Sequence, residues 1–227
     1  MQNSSPAPTA SVGPVRPGLR TPRAAAIAGI LFSLLLMTSF WLLWSSVPAD
    51  PFDAGSWLET SSRRVSLALN LIPFAGVAFF WFVGVLRDRL GRKEDQFFAT
   101  VLLGSALMFL GMLFVAASAM AALILAHASG RILDSATFAF ARAFAYNIMH
   151  IYALKMAAVF MITTSTLAVI TLLTPRWIAV LGYASAALLL LGSGYLDVAL
   201  FIFPAWVLLV SVYILIDNLR RPKFSMA

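Results

Sequence analysis

The sequence predicts an all-α membrane protein, a bundle of six transmembrane helices with both termini in the cytoplasm. Three observations favour this fold class. Hydrophobic residues make up 61% of the 227 residues and charged residues 11%, whereas soluble domains average about 45–50% and 25%. The apolar residues form runs that reach the roughly 20 residues a helix needs to cross a bilayer. Basic residues are concentrated in alternate loops, a bias that is typical of membrane helices.

Each apolar run is expected to be helical, because lipid offers the backbone no hydrogen-bond partner. The first span, 24–45, is too long for a signal-peptide core of about 7–15 residues. It ends with Trp41 and Trp44, whose amphipathic rings favour the membrane interface. The second span, 66–86, contains Pro73, which frees one backbone carbonyl that a neighbouring group must satisfy.

The third span, 97–126, carries a seam of small residues, a pattern that suits close helix packing. These residues recur every seven positions and are Gly104, Gly111 and Ser118. The fourth helix, 136–173, is predicted to have Ser135 as its N-cap and to stop at Thr174-Pro175. At 1.5 Å per residue it is about 57 Å long, and the hydrocarbon core is about 30 Å thick. Its first turns are therefore expected to project from the membrane or to bend along its surface.

The last two spans are 177–191, which is the shortest, and 195–216, which has Asp197 near its start and Pro204 inside. Both lie between short loops, so the six spans form a single domain.

The predicted domain covers 23–219. Residues 1–22 are rich in Pro, Ser and Thr, have little to bury, and are expected to form a disordered cytoplasmic tail. Residues 220–227 are expected to form a short basic cytoplasmic tail.

Loop charges predict the orientation of the bundle. With the N-terminus in the cytoplasm, the inner segments hold most of the 16 basic residues. These are Arg16, Arg20, Arg23, Arg87, Arg89, Arg92, Lys93, Arg176, Arg220, Arg221 and Lys223. The outer loops hold Arg63, Arg64, Arg131 and Arg142. This bias obeys the positive-inside rule and accounts for the net charge of +7 without a nucleic-acid partner.

The fourth helix carries polar residues that are costly to bury in lipid. Arg142, Tyr146 and His150 are four residues apart, so on a regular helix they form one stripe, with Asn147 beside it. Lys155 falls near the bilayer midplane, where its insertion costs roughly 2.5–3.5 kcal/mol. Such a residue normally faces the interior of the bundle and pairs with another polar group.

Within the spans, the acid available to Lys155 is Asp197, and we expect these two side chains to meet directly or through water. Asn70, Asn147 and His150 lie at similar predicted depths in the outer leaflet, and Tyr146 shares the stripe of His150. The candidate binding cluster, expected to line one outward-facing polar cavity, is Lys155, Asp197, His150, Asn147, Asn70 and Tyr146.

Other interpretations of the cluster remain open. Buried polar residues also hold helices together, and a histidine titrates near physiological pH and can shuttle protons. A haem held by His127 and His150 requires two ligands at unequal predicted depths. With two His and no Cys, and no nucleophile–base–acid arrangement, we expect no metal site, no cofactor and no catalytic residues.

The stretch Gly84-Val85-Leu86-Arg87-Asp88-Arg89-Leu90-Gly91-Arg92-Lys93 resembles the loop motif of the major facilitator superfamily. It falls between the second and third spans on the predicted inner side, as in that family. The resemblance implies a gating pair at Asp88 and Arg89 that latches helices together during alternating access. It covers ten residues, and the chain otherwise departs from that family in having six spans and no second copy of the motif.

For function, the sequence favours an accessory or structural membrane protein that acts through helix–helix contacts. The alternative is a transporter or carrier for a small molecule, an ion or protons. An intramembrane enzyme or cofactor binder has the least support. The expected partners are the lipid bilayer and either another membrane protein or a second copy of the chain, and the composition fits a bacterial inner membrane.

Overall fold

A computed structural model describes residues 21–48, 50, 53, 55–90, 96–130, 134–171, 175–194, 196 and 198–220. The predicted N-terminal tail lies outside this part of the chain, apart from its last two residues. The C-terminal tail after Arg220 lies outside it as well.

Every regular element in the described part of the chain is a helix. In order they are α1 (Thr21–Ser46), α2 (Trp57–Thr60), α3 (Ser62–Leu90), α4 (Gln96–Ala128), α5 (Ser135–Asn147), a π-helical segment (Ile148–Ala153), α6 (Leu154–Thr171), α7 (Arg176–Gly192) and α8 (Ala199–Arg220). The π-helical segment joins α5 to α6 without a break, so the three form one long span.

Five helices are long and apolar enough to cross a membrane: α1, α3, α4, α8 and the continuous helix from Ser135 to Thr171. The predicted all-α membrane bundle is therefore confirmed. α7 is also apolar, but its 17 residues extend only about 26 Å, slightly less than the hydrocarbon core of about 30 Å. The cytoplasmic placement of the two termini stays a prediction.

Some helix boundaries differ from the predicted ones for local reasons. α1 begins at Thr21, three residues before the predicted start, and Pro22 suits the first turn because its fixed φ is helical and its missing N–H is not needed there. The N-cap of α5 is Asp134, not Ser135. The Oδ1 atom of Asp134 accepts a hydrogen bond from the backbone N–H of Thr137 at 2.6 Å, and its Oδ2 accepts one from the Thr137 hydroxyl at 2.9 Å.

The centre of the bundle is filled by phenylalanine rings from five helices. Phe79 of α3 lies 4.6 Å from Phe32 of α1 and 5.2 Å from Phe160 of α6, between ring centroids. Phe203 of α8 lies 4.8 Å from Phe109 of α4. All five rings are almost fully buried. Such tilted and edge-to-face pairs are each worth about 0.5–1.5 kcal/mol beyond the area they bury.

Small residues allow close contact between some helices, but the glycines of α4 contact no neighbouring helix in the described part of the chain. Gly29 of α1 faces the Ser211 hydroxyl of α8, and Gly182 of α7 faces the Ser165 hydroxyl of α6. The predicted seam of α4 behaves differently. A Cβ atom added at Gly104 or Gly111 would meet nothing within 4 Å, so these two glycines do not mediate helix packing among the described residues.

Candidate binding cavity

A cavity of about 90 Å³ lies where α1 and α4 approach their C-termini and α3 and α8 begin. This is the predicted outer end of the bundle. Most of its wall is apolar: Phe40, Leu43, Leu69, Ile72, Ala116, Met120, Met149, Leu200 and Phe201. This volume is below the roughly 150 Å³ of an apolar cavity that binds benzene, so a ligand of that size or larger would extend beyond the enclosed space.

Three polar residues lie along one side of this mainly apolar cavity. They are Arg142 and Tyr146 of α5 and His150 of the π-helical segment. The rings of Tyr146 and His150 stack with centroids 4.0 Å apart and planes 16° apart. The predicted stripe thus lies on the face of the helix that meets the cavity, and the structure brings Tyr146 and His150 of the candidate cluster together.

The π-helical segment begins immediately after Asn147 and contains His150. A π turn has i→i+5 hydrogen bonds and is wider than an α turn, and such turns occur frequently at functional sites. Nδ1 of His150 lies 3.2 Å from the backbone carbonyl oxygen of Tyr146. A carbonyl oxygen only accepts hydrogen bonds, so Nδ1 is the donor in this contact, which fixes the direction of the ring.

Arg142 is the most buried charged side chain of the site, with 3% exposure. Nη1 of Arg142 donates to the carbonyl oxygen of Asp53 at 3.1 Å, and Nη2 donates to the carbonyl oxygen of Pro48 at 2.7 Å. Nη1 also lies 3.7 Å from Oδ1 of Asp53, whose side chain is 32% exposed. Arg142 therefore ties α5 to the segment that follows α1.

Sequence reasoning placed Arg142 in an outer loop and left it out of the candidate cluster. The available signal was its four-residue spacing from Tyr146, which marked the shared stripe. What the sequence lacked was the position of the carbonyl groups of Pro48 and Asp53, which come from a segment about 90 residues earlier.

The other predicted cluster residues lie elsewhere. Asn70 is exposed, donates to the Ser66 carbonyl at 2.9 Å, and lines a separate groove between α3 and α4. Asn147 is exposed and donates to the Ala143 carbonyl of its own helix at 2.9 Å. The expectation of one shared cavity therefore does not hold for these two residues, because each amide bonds back to the helix that carries it.

Lys155 is partly buried near the start of α6 and is not among the residues that line the cavity. The π-helical segment contains His150 and ends two residues before Lys155, so the angle between these two side chains differs from that on a regular α-helix. The predicted partner Asp197 lies outside the described residues, so the pairing of Lys155 with Asp197 stays a prediction. His127, the other predicted haem ligand, is exposed in the last turn of α4.

The aromatic core closes the inner end of the cavity. Phe40 and Ile72 line the cavity, and Phe32 and Phe79 follow about two helical turns deeper on the same helices. The cavity reaches the molecular surface at its other end, because Trp44 lines it and is 53% exposed. Trp44 packs against Phe201 with ring centroids 6.4 Å apart. The cavity is thus bounded by the aromatic core at one end and opens beside Trp44 at the other.

In the stretch that resembles the major facilitator loop, residues 84–90 continue α3 as a helix, and residues 91–95 lie outside the described part of the chain. The chain matches no protein-family model, and no curated protein or solved structure matches it.

Proposed function

We propose that this integral membrane protein binds a small, mainly apolar molecule in the cavity at the outer end of its bundle. The observation that carries the proposal is the composition of the cavity wall. Apolar side chains enclose the space, and one stripe of polar groups, Arg142, Tyr146 and His150, is placed along a single side. Apolar pockets with a few convergent polar groups are the usual form of small-molecule sites.

Binding is better supported than conduction. The phenylalanine core lies between the cavity and the inner end of the bundle, with Phe79, Phe109 and Phe203 within 5.7 Å of one another between centroids. A pathway through the membrane requires these rings to separate. The proposal therefore covers a receptor or carrier that holds its ligand, and it includes no catalytic step. The bacterial inner membrane remains the proposed location.

The test uses the absence of cysteine from the chain. A single cysteine at Met120, which lines the cavity, is labelled with N-ethylmaleimide in membrane vesicles with and without n-octane. The matched control is a cysteine at Ala122, which is exposed on the same helix and does not line the cavity.

Octane is expected to slow labelling at position 120 and not at position 122. Ala145→Leu should abolish the protection, because Ala145 lines the cavity with 2% exposure and a larger side chain fills the space. Equal labelling rates at position 120 with and without octane would show that the cavity binds no apolar molecule.

The accessory role predicted from the sequence is the second candidate, and the surface of α4 favours it. Only 28% of the most apolar part of α4 is buried, compared with 50–61% in the other four long spans. Gly104, Gly111 and Ser118 lie on this exposed surface. Small residues let helices approach closely in lipid, so α4 suits contact with a second copy of the chain or with another membrane protein.

Cysteine cross-linking in membranes tests this second candidate. A cysteine at Gly111 should give a disulfide-linked species under mild oxidation if α4 contacts a second copy. A cysteine at Val180, which is exposed on α7, is the matched control and should not. Equal cross-linking at the two positions would indicate random collision and would count against a specific α4 contact between copies.

A further inference from the structure

The chemistry of Arg142 narrows the class of ligand, an inference that rests on the proposed binding function. We infer that the ligand is an electrically neutral, apolar molecule that carries a hydrogen-bond acceptor oxygen, such as a ketone or ester carbonyl. Its oxygen accepts from the Arg142 guanidinium, and its hydrocarbon part lies against the apolar wall.

Arg142 can donate more hydrogen bonds than the two that it makes to backbone carbonyls. A guanidinium has five N–H groups, and among the described residues Arg142 donates to the carbonyls of Pro48 and Asp53. The side chain is 3% exposed and lines the cavity. A ligand oxygen in the cavity can therefore accept from a remaining N–H group, and hydrogen bonds to charged groups are stronger than those between neutral groups.

The charge of Arg142 is already balanced. The Asp53 carboxylate lies 3.7 Å from the guanidinium. An anionic ligand would add a second negative charge beside one positive charge. A cationic ligand would be repelled by the guanidinium, and the described residues that line the cavity include no carboxylate. A neutral acceptor satisfies the donors and leaves this balance unchanged.

The size and opening of the cavity limit the ligand further. The cavity volume of about 90 Å³ is below the roughly 150 Å³ of an apolar cavity that binds benzene, so the oxygen-bearing end of an eight-carbon chain lies inside and the remainder of the chain lies outside the cavity. Its opening lies beside Trp44, which is exposed at the end of a membrane span. A neutral apolar molecule dissolved in the bilayer reaches this opening from the lipid, whereas an ion reaches it from water.

The experiment compares three eight-carbon probes in the cysteine-120 labelling assay: n-octane, 2-octanone and octanoate. Concentrations are expressed relative to the membrane phase, so that differences in partitioning cancel. In the chain with Arg142 intact, 2-octanone is expected to protect at roughly one tenth of the concentration that octane requires, because hydrogen bonds to charged groups are strong. Octanoate is expected to protect no better than 2-octanone.

Arg142→Gln should remove most of the difference between 2-octanone and octane, and Arg142→Lys, which keeps a charged donor, should retain part of it. A second measurement needs no variant. The infrared band of carbonyl-labelled 2-octanone should move to lower wavenumber when it binds the unaltered protein, because the carbonyl accepts a hydrogen bond.

The outcomes separate the two proposals. Failure of octane to protect position 120 would overturn the binding function itself. Protection by octane with no advantage for 2-octanone, or an unshifted carbonyl band, would overturn the assignment to Arg142 and leave the binding function standing. Stronger protection by octanoate than by 2-octanone would identify an anion site and would also overturn the assignment.

Discussion

Gly182 lies at the junction of three helices, and its replacement by alanine should destabilise the bundle. A Cβ atom at this position of α7 would overlap the Ser165 hydroxyl of α6. It would also lie 2.9 Å from Nε1 and 3.2 Å from Cε2 of Trp206 in α8. Gly182, Ser165 and Trp206 are all buried, so neither neighbour can turn into solvent to make room.

Two opposing effects determine how much Gly182→Ala changes the free energy of unfolding. Adding a methyl group to a well-packed core typically costs about 1–3 kcal/mol. Alanine recovers up to about 1 kcal/mol of this, because it favours a helix more than glycine does. Gly84→Ala in α3 supplies the matched control, because a Cβ atom there meets nothing within 4 Å. The free energy of unfolding of Gly182→Ala should therefore lie about 1–3 kcal/mol below that of Gly84→Ala.

A second substitution should rescue the first. Among the described residues, the Ser165 hydroxyl has no hydrogen-bond partner, so Ser165→Ala alone should change stability little. In combination with Gly182→Ala it removes the atom nearest the new methyl group. The double variant should regain part of the loss, while the contact with Trp206 keeps the recovery incomplete.

The assay is unfolding of the purified protein in mixed micelles by titration with sodium dodecyl sulfate, followed by tryptophan fluorescence. All four variants are measured under one set of conditions, so that the comparison depends on differences alone. Equal stability of Gly182→Ala and Gly84→Ala would refute the packing of α6, α7 and α8 described above.

Two further predictions concern hydrogen bonds. The pKa of Asp134 is held below its ordinary value of 3.8 by hydrogen bonds from the backbone and the side chain of Thr137. A carboxylate with a lowered folded-state pKa stabilises the fold above its unfolded pKa and loses that effect as the pH falls through the folded value. The protection factor of the Thr137 amide, which compares its exchange rate with that of an unstructured peptide at the same pH, should therefore fall in acid, and it should already be low at pH 7 in Asp134→Ala; a protection factor that does not change with pH would contradict this. Between α1 and α3, the buried Ser39 hydroxyl donates to the Ala68 carbonyl at 2.8 Å. Ser39→Ala should cost about 0.6 kcal/mol in the micelle unfolding assay, more than Ser33→Ala, whose hydroxyl bonds within its own helix; equal costs would argue against an interhelical contribution.

The helices were predictable from the sequence and the contacts between them were not. The span predicted over 97–126 is observed as Gln96–Ala128, and the span predicted over 66–86 is observed as Ser62–Leu90. The length of each apolar run determines where these helices lie in the sequence, because a backbone in lipid has to satisfy its own hydrogen bonds. The seam of Gly104 and Gly111 faces outward instead of packing inside the chain, since a seven-residue repeat marks a face of the helix without identifying its neighbour.

The candidate site was also predictable only in part. The spacing of Tyr146 and His150 predicted a shared stripe, and both residues line the cavity. Depth alone grouped Asn70 with them, although α3 turns Asn70 toward a different groove. Residues at equal depth share a cavity only when their helices turn the same faces toward one another.

What the sequence determined by itself is that the protein is a helical membrane protein, which part of its fourth span is polar, and which positions on that span share a face. These properties depend on composition and on the geometry of one helix. The tertiary structure alone decided that a π turn interrupts the polar stretch, that Arg142 donates to carbonyls of the segment that follows α1, and that phenylalanine rings pack beneath the cavity. Lipid is as apolar as the side chains it surrounds, so hydropathy says that a residue is in the membrane without saying whether it faces lipid or protein. Packing and interhelical hydrogen bonds make that choice, and they depend on residues distant in the chain.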